Sequence, residues 1–240
     1  MKLSQIKYTD LEKLKKEYDI KALLPVGSLE QHGPHLPLGT DATICNEVCK
    51  AAAENRNDVL LLPLLPYGQS EHHMGFLGTI TVRHETLINI IKNIGDSIYR
   101  HGIKRFIVAN GHGGNTHAIA AGVYELNTEK PEMEVSHVDV CNFAPKDFKY
   151  EFLSEKAGRH ANDYETSVML FLNPNLVDMS KACKEFPSKK APSKTSKRTI
   201  VDFKKYSRSG VWGDPRSATA EKGKEYFDIM VSELTKVIDS

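Results

Sequence analysis

Three apolar runs, ALLPV at 22–26, DVLLLPLL at 58–65 and RFIVA at 105–109, each break off into a loop carrying glycine and histidine. A run of this length with no polar alternation reads as a strand buried on both faces. After each loop the apolar residues recur at helical spacing. Strand, loop and helix in repeated order predict a parallel sheet with helices on both faces. In such a sheet the loops that follow the strands share one edge, where polar groups distant in sequence converge.

The periodicity predicts helices over 9–18, 41 to about 55, 84–101, 116 to about 128, 156–172 and 219–238, a strand over 134–140 and a brief extended piece at 80–82. Residues 66–79 read as a long loop. Residues 181–205, rich in Lys, Ser and Pro, read as solvated surface, and 209–215, with the single Trp, as a tight turn. At 240 residues the chain can bury a full core, and it is read as one domain over 1–240. Thirty-two basic residues nearly balance 31 acidic ones, which offers no footprint for nucleic acid or a membrane surface. No apolar run approaches the roughly 20 residues of a spanning helix, and the first ten residues have no signal-peptide pattern. Four cysteines are too few for a disulfide framework, and Cys45 and Cys49 read as small buried residues, so a reducing cytoplasm is the expected location.

The loop after the first strand, GSLEQHGPHLPLGTD at 27–41, places Glu30, His32, His35 and Asp41 within twelve residues. Carboxylates and imidazoles at this density suit a divalent cation, and the mixed set fits Zn²⁺, Mn²⁺ or Fe²⁺. Glu30 and His32 are two apart, so in extended chain both point the same way. Asp41 opens the next helix, where the dipole favours a carboxylate. The second cluster, NGHGGN at 110–115, presents His112 at a strand end with little steric cover, and Gly113 and Gly114 let a ligand approach their backbone N–H groups. A third, RHANDYETS at 159–167, offers His160 and Glu165. Of the tandem His72 and His73, at most one is expected to face the site, because neighbours in extended chain diverge.

These segments, with YGQSEHH (67–73), FLGT (76–79) and GVWGDP (210–215), resemble the creatininase, or creatinine amidohydrolase, family. The resemblance implies a three-layer α/β/α fold, assembly into homo-oligomers such as hexamers, and a site for two divalent metal ions. It implies Glu30, His32, Asp41 and His112 as metal ligands with Asp41 bridging, Glu165 as a ligand or its support, and His160 as the residue that handles protons. Gly113 and Gly114 stand where creatinine-opening members have tyrosine and a metal-binding glutamate. One ligand is thereby absent, to be made good by Glu165 or water. Lys156 stands where an aromatic residue is expected.

The expected activity is hydrolysis of a non-peptide or cyclic C–N amide bond in a small molecule by metal-activated water. Gly113 and Gly114 would donate to the oxyanion and His160 would protonate the leaving nitrogen. The alternatives are an archaeal-type deformylase acting on a formylamino-ribosylaminopyrimidine phosphate, a peptidase trimming a modified peptide, or a non-catalytic metal- or nucleotide-binding module. Ser28 lies in no Gly-x-Ser-x-Gly elbow, which argues against a serine hydrolase.

Overall fold

The computed structural model describes residues 1–143, 158–186 and 202–240. Four parallel strands, β1 (Lys21–Val26), β2 (Val59–Leu61), β3 (Arg105–Asn110) and β4 (Glu134–Asp139), form a sheet in the order β2-β1-β3-β4. In register, Leu23 lies beside Leu61 and Ile107, and Val26 beside Asn110. Strand alternation sends neighbours to opposite faces. Leu23, Val59, Leu61, Ile107 and Ala109 pack with the helices α2 (Thr40–Ala52), α5 (Asp163–Leu172) and α6 (Ala220–Asp239). Ala22, Leu24, Val26, Leu60, Phe106 and Val108 pack on the other side with α3 (His84–Arg100) and α4 (Thr116–Glu129), and α1 (Tyr8–Glu17) adds Leu11 and Leu14 there. Two cores sharing one sheet make the three-layer α/β/α sandwich.

The closing helix buries Tyr226, Met230, Leu234 and Ile238, a stripe at i,i+4 spacing. It lies close against α5 at Gly223, where a Cβ would overlap the Ser167 carbonyl. Cys45 and Cys49 are buried in the core, and all four cysteines are free thiols. Among the described residues no helix is long and apolar enough to cross a membrane.

The structure corrects three expectations. The helix expected over 156–172 begins only at Asp163. Ala161 takes a left-handed backbone (φ 50°), and the Asn162 side chain caps the helix by accepting from the Glu165 N–H at 3.1 Å. Gly158–His160 is instead an extended strand, β5, paired antiparallel with β6 (Trp212–Gly213) inside the segment expected to be a turn. Residues 156 and 157 lie outside the described residues. The strand expected over 58–65 is regular only at Val59–Leu61, since Pro63 has no N–H to pair, and it rejoins the sheet by a bridge from Leu65 to Val26. Of the basic stretch, 187–201 lies outside the described residues. Its flanks carry surface pairs, Lys181 with Asp178, Lys184 with Asp214 and Lys205 with Asp202.

Candidate metal centre

The loops leaving β1 and β3 meet because those strands are parallel neighbours. Buried Asn115 fastens them. Its side-chain N–H groups donate to the Gly27 carbonyl at 3.0 Å and to Asn110 Oδ1 at 3.2 Å, and its Oδ1 accepts from the Gln69 N–H at 2.7 Å. Gly27 is required beneath this knot, since a Cβ would press on the Ala42 side chain at 2.8 Å.

Glu30, His32, Asp41, His112 and Glu165 come together at this edge. His32 Nε2 lies 3.1 Å from Asp41 Oδ1 and 3.9 Å from Glu165 Oε1. His112 Nδ1 lies 2.9 Å from Asp41 Oδ2, and His112 Nε2 lies 3.2 Å from Glu30 Oε2. Asp41 thus has one oxygen toward each imidazole, at the middle of the cluster. His160 Nδ1 is 3.7 Å from Glu30 Oε1, and its Nε2 is 2.7 Å from the Gln31 carbonyl. A carbonyl only accepts, so His160 carries its proton on Nε2 and Nδ1 turns a lone pair to the cluster.

Sequence reasoning misplaced the tandem histidines. Glu71–His73 is a 3-10 turn rather than extended chain, and it brings both rings to the centre. His73 Nε2 is 3.4 Å from Glu30 Oε1, and the His72 ring lies nearly parallel to His112 with centroids 5.8 Å apart. Gln31 was missed altogether. Its amide nitrogen sits 2.8 Å from His73 Nδ1, 3.0 Å from His160 Nε2 and 3.2 Å from the Gly210 carbonyl, while Oε1 accepts from the Gly33 N–H. Ser28 and Ser70 were missed too. They join Oγ to Oγ at 2.5 Å, with Ser28 3.3 Å from Glu30 Oε2 and Ser70 3.4 Å from His112 Nε2. Their position inside ligand-bearing loops was the signal available. His35 stands apart and bonds Thr166 Oγ1 at 2.9 Å, tying the first loop to α5.

The electrostatics are those of a buried cluster with opposed charges. Burial opposes a charge on His32, but Asp41, Glu165 and Glu30 push its pKa up to about 10. Burial likewise works against His112, and Glu30 and Asp41 push it up to about 9. Burial raises Glu30 and takes Glu165 to about 7. Asp41 is held below the usual carboxylate range, because His32 and His112 outweigh its burial. Burial drives His73 and His160 well below the ordinary imidazole value, and burial and His112 bring His72 to about 4.

Three buried polar atoms, His32 Nε2, Asp41 Oδ2 and Glu165 Oε2, have neighbours but no properly angled hydrogen bond. Orphaned atoms of this kind are costly unless something else satisfies them. They belong to residues of one cluster, and the donor set mixes carboxylate with imidazole. Ligand atoms of Glu30, His32 and Asp41 lie within 4.8 Å of one another, as do those of His32, His160 and Glu165. The residues present therefore fit divalent cations. Gly113 and Gly114 open the 3-10 turn Gly113–Asn115, so their N–H groups have no partner within that turn. A Cβ on Gly113 would meet nothing within 4 Å, whereas one on Gly114 would overlap the Gln69 carbonyl and the His112 ring.

The creatininase family, described as creatinine amidohydrolase, matches residues 4–238. The mycofactocin precursor peptide peptidase of Mycobacterium ulcerans (strain Agy99) is 34% identical over 226 residues, covering 90% of this chain and 83% of its own. The creatinine amidohydrolase of Pseudomonas putida is 28% identical over 240 residues, covering 92% and 89%. A solved structure described as "Creatininase Mn" superposes with a TM-score of 0.85 at 26% identity, covering 99% of this chain and 96% of that one. The chain belongs to the creatininase family of amidohydrolases.

Proposed function

We propose that the protein is a metal-dependent amidohydrolase that cleaves a non-peptide or cyclic C–N amide bond in a small molecule. The observation that carries this reading is the convergence of Glu30, His32, Asp41, His112 and Glu165 around three unsatisfied buried atoms. Glu30, Asp41 and His112 would hold one divalent ion, and His32, Asp41 and Glu165 a second, as Zn²⁺, Mn²⁺ or Fe²⁺. Bound there, the ions would supply Lewis acidity to polarise the amide carbonyl and activate water. The same reading takes 1–240 as one catalytic domain of a cytoplasmic homo-oligomer.

The chain's own groups divide the remaining work. His160, fixed by the Gln31 carbonyl, presents Nδ1 as the atom that accepts a proton from the attacking water and passes it to the leaving nitrogen. Burial keeps the ring neutral, so the Nδ1 lone pair is available. The N–H groups of Gly113 and Gly114 supply donors for the developing oxyanion, and the open space beside Gly113 admits the substrate. Glu30 holds His73 and His112 in place, and Gln31 holds both other rings, its side-chain amide donating to His73 Nδ1 and its backbone carbonyl accepting from His160 Nε2.

The test is a panel of creatinine, other cyclic amides, formylaminopyrimidine phosphates and short peptides, run at defined metal loading with chelator controls. Turnover of an amide that is abolished by chelator and restored by metal is the expected result. Turnover indifferent to chelation, or purified protein that retains no metal, overturns the reading. Relatedness to the mycofactocin precursor peptide peptidase supports a second reading, in which the amide belongs to a peptide, and the peptide arm of the panel decides between them.

A further inference from the structure

We propose that His72 is itself a metal ligand, completing the donor set that begins with Glu30 and His112. The inference rests on the metal-centre reading above and adds a residue to it. Ligand atoms of Glu30, His72 and His112 lie within 4.8 Å of one another. Donors bound tetrahedrally to one ion at about 2.1 Å sit about 3.4 Å apart, so closure onto an ion needs movement of at most about 1.4 Å. The His72 ring faces His112 at an interplanar angle of 11° and is half-buried. Among the described residues nothing hydrogen-bonds it; its contacts are with the His73 and His112 rings.

The tandem pair thereby divides its labour. His73 is already engaged at both nitrogens, by the Gln31 amide at 2.8 Å and by Glu30 Oε1 at 3.4 Å. His72, on the same turn, has no hydrogen bond among the described residues to give up on moving onto an ion. The loop after β3 cannot provide that donor. Gly113 and Gly114 have no side chains, and position 114 has no room for one, because the Gln69 carbonyl and the His112 ring fill the space. Gln69 leads directly into the turn that carries His72. The segment whose carbonyl closes off position 114 thus also carries an imidazole to the cluster.

Zn²⁺ titrations of chelator-stripped protein by calorimetry, at one fixed pH, test the assignment. His72→Ala is expected to weaken one of two binding events by about 10- to 100-fold while the other is unchanged, with the thermal midpoint of the metal-free protein unmoved. His72→Glu, which restores a donor, is expected to recover affinity to within about threefold of wild type. The Co²⁺-loaded protein should also shift its visible absorption bands in His72→Ala, as loss of an imidazole ligand requires. Asp41→Ala is the reference that loses both ions. Wild-type affinity at both events in His72→Ala, alongside loss in Asp41→Ala, overturns the role of His72 alone. Retention of both ions in Asp41→Ala overturns the metal centre and the role of His72 together.

Discussion

Loading the centre with metal should expel protons in a number that the structure sets. Metal-bound imidazole is neutral, so any proton on the coordinating nitrogen must leave first. Without metal, the carboxylates around His32 and His112 push their pKa values up to about 10 and about 9, so both rings are protonated at pH 7.5. Uptake of ions at both positions then releases about two protons. Glu165, pushed up to about 7 by burial, contributes roughly a quarter of a proton more at pH 7.5 and nearly a whole one at pH 6. The sign follows: as pH falls, protons compete better and apparent affinity drops. Between pH 7.5 and 8.5 the overall apparent binding constant should rise about 100-fold, ten for each proton displaced. Calorimetric titration of Zn²⁺ in three buffers of different ionisation enthalpy counts the protons directly. Release of fewer than one proton at pH 7.5 would refute the view that these imidazoles are held charged by the carboxylates they share with the ion.

Other perturbations test other parts of the same fold. His160→Ala should keep its metal content, measured by mass spectrometry, and lose about 10²–10⁴-fold in turnover, because proton transfer rather than coordination is removed. Asn115→Leu leaves the Gly27 carbonyl and the Gln69 N–H without their partner and should cost about 2–4 kcal/mol, read from the urea midpoint at unchanged slope. Gly223→Ala sets a methyl against the Ser167 carbonyl where α5 and α6 touch, and should cost about 1–3 kcal/mol in the same assay. Phe106→Ala, at a site with 0% exposure, should cost about 3–5 kcal/mol and leave metal binding intact.

Sequence alone was sufficient for the sheet and for the choice of loops. Apolar runs at 22–26 and 105–109 have no polar face to offer solvent, so they must be central strands, and the loops that end them must share an edge. Both conclusions depend on local burial, which periodicity reports. The helix begun too early at 156 shows the limit. Residues 158–160 carry no strong period, and a strand of three residues exists only because Trp212–Gly213 lies alongside it. The bridge from Leu65 to Val26 is of the same kind.

The candidate site divides along the same line. That Glu30, His32 and Asp41 belong together is written in their spacing within one loop. That His112 Nδ1 meets one oxygen of Asp41 while His32 Nε2 meets the other depends on the register of β1 against β3. The roles of Gln31, His72 and His73 depend on a single 3-10 turn held by Asn115, 42 residues from its nearer histidine. A sequence records which donors a chain owns and how each segment is patterned. Distances of three or four ångströms between loops 40 to 130 residues apart are fixed by packing, and coordination chemistry is decided at that scale.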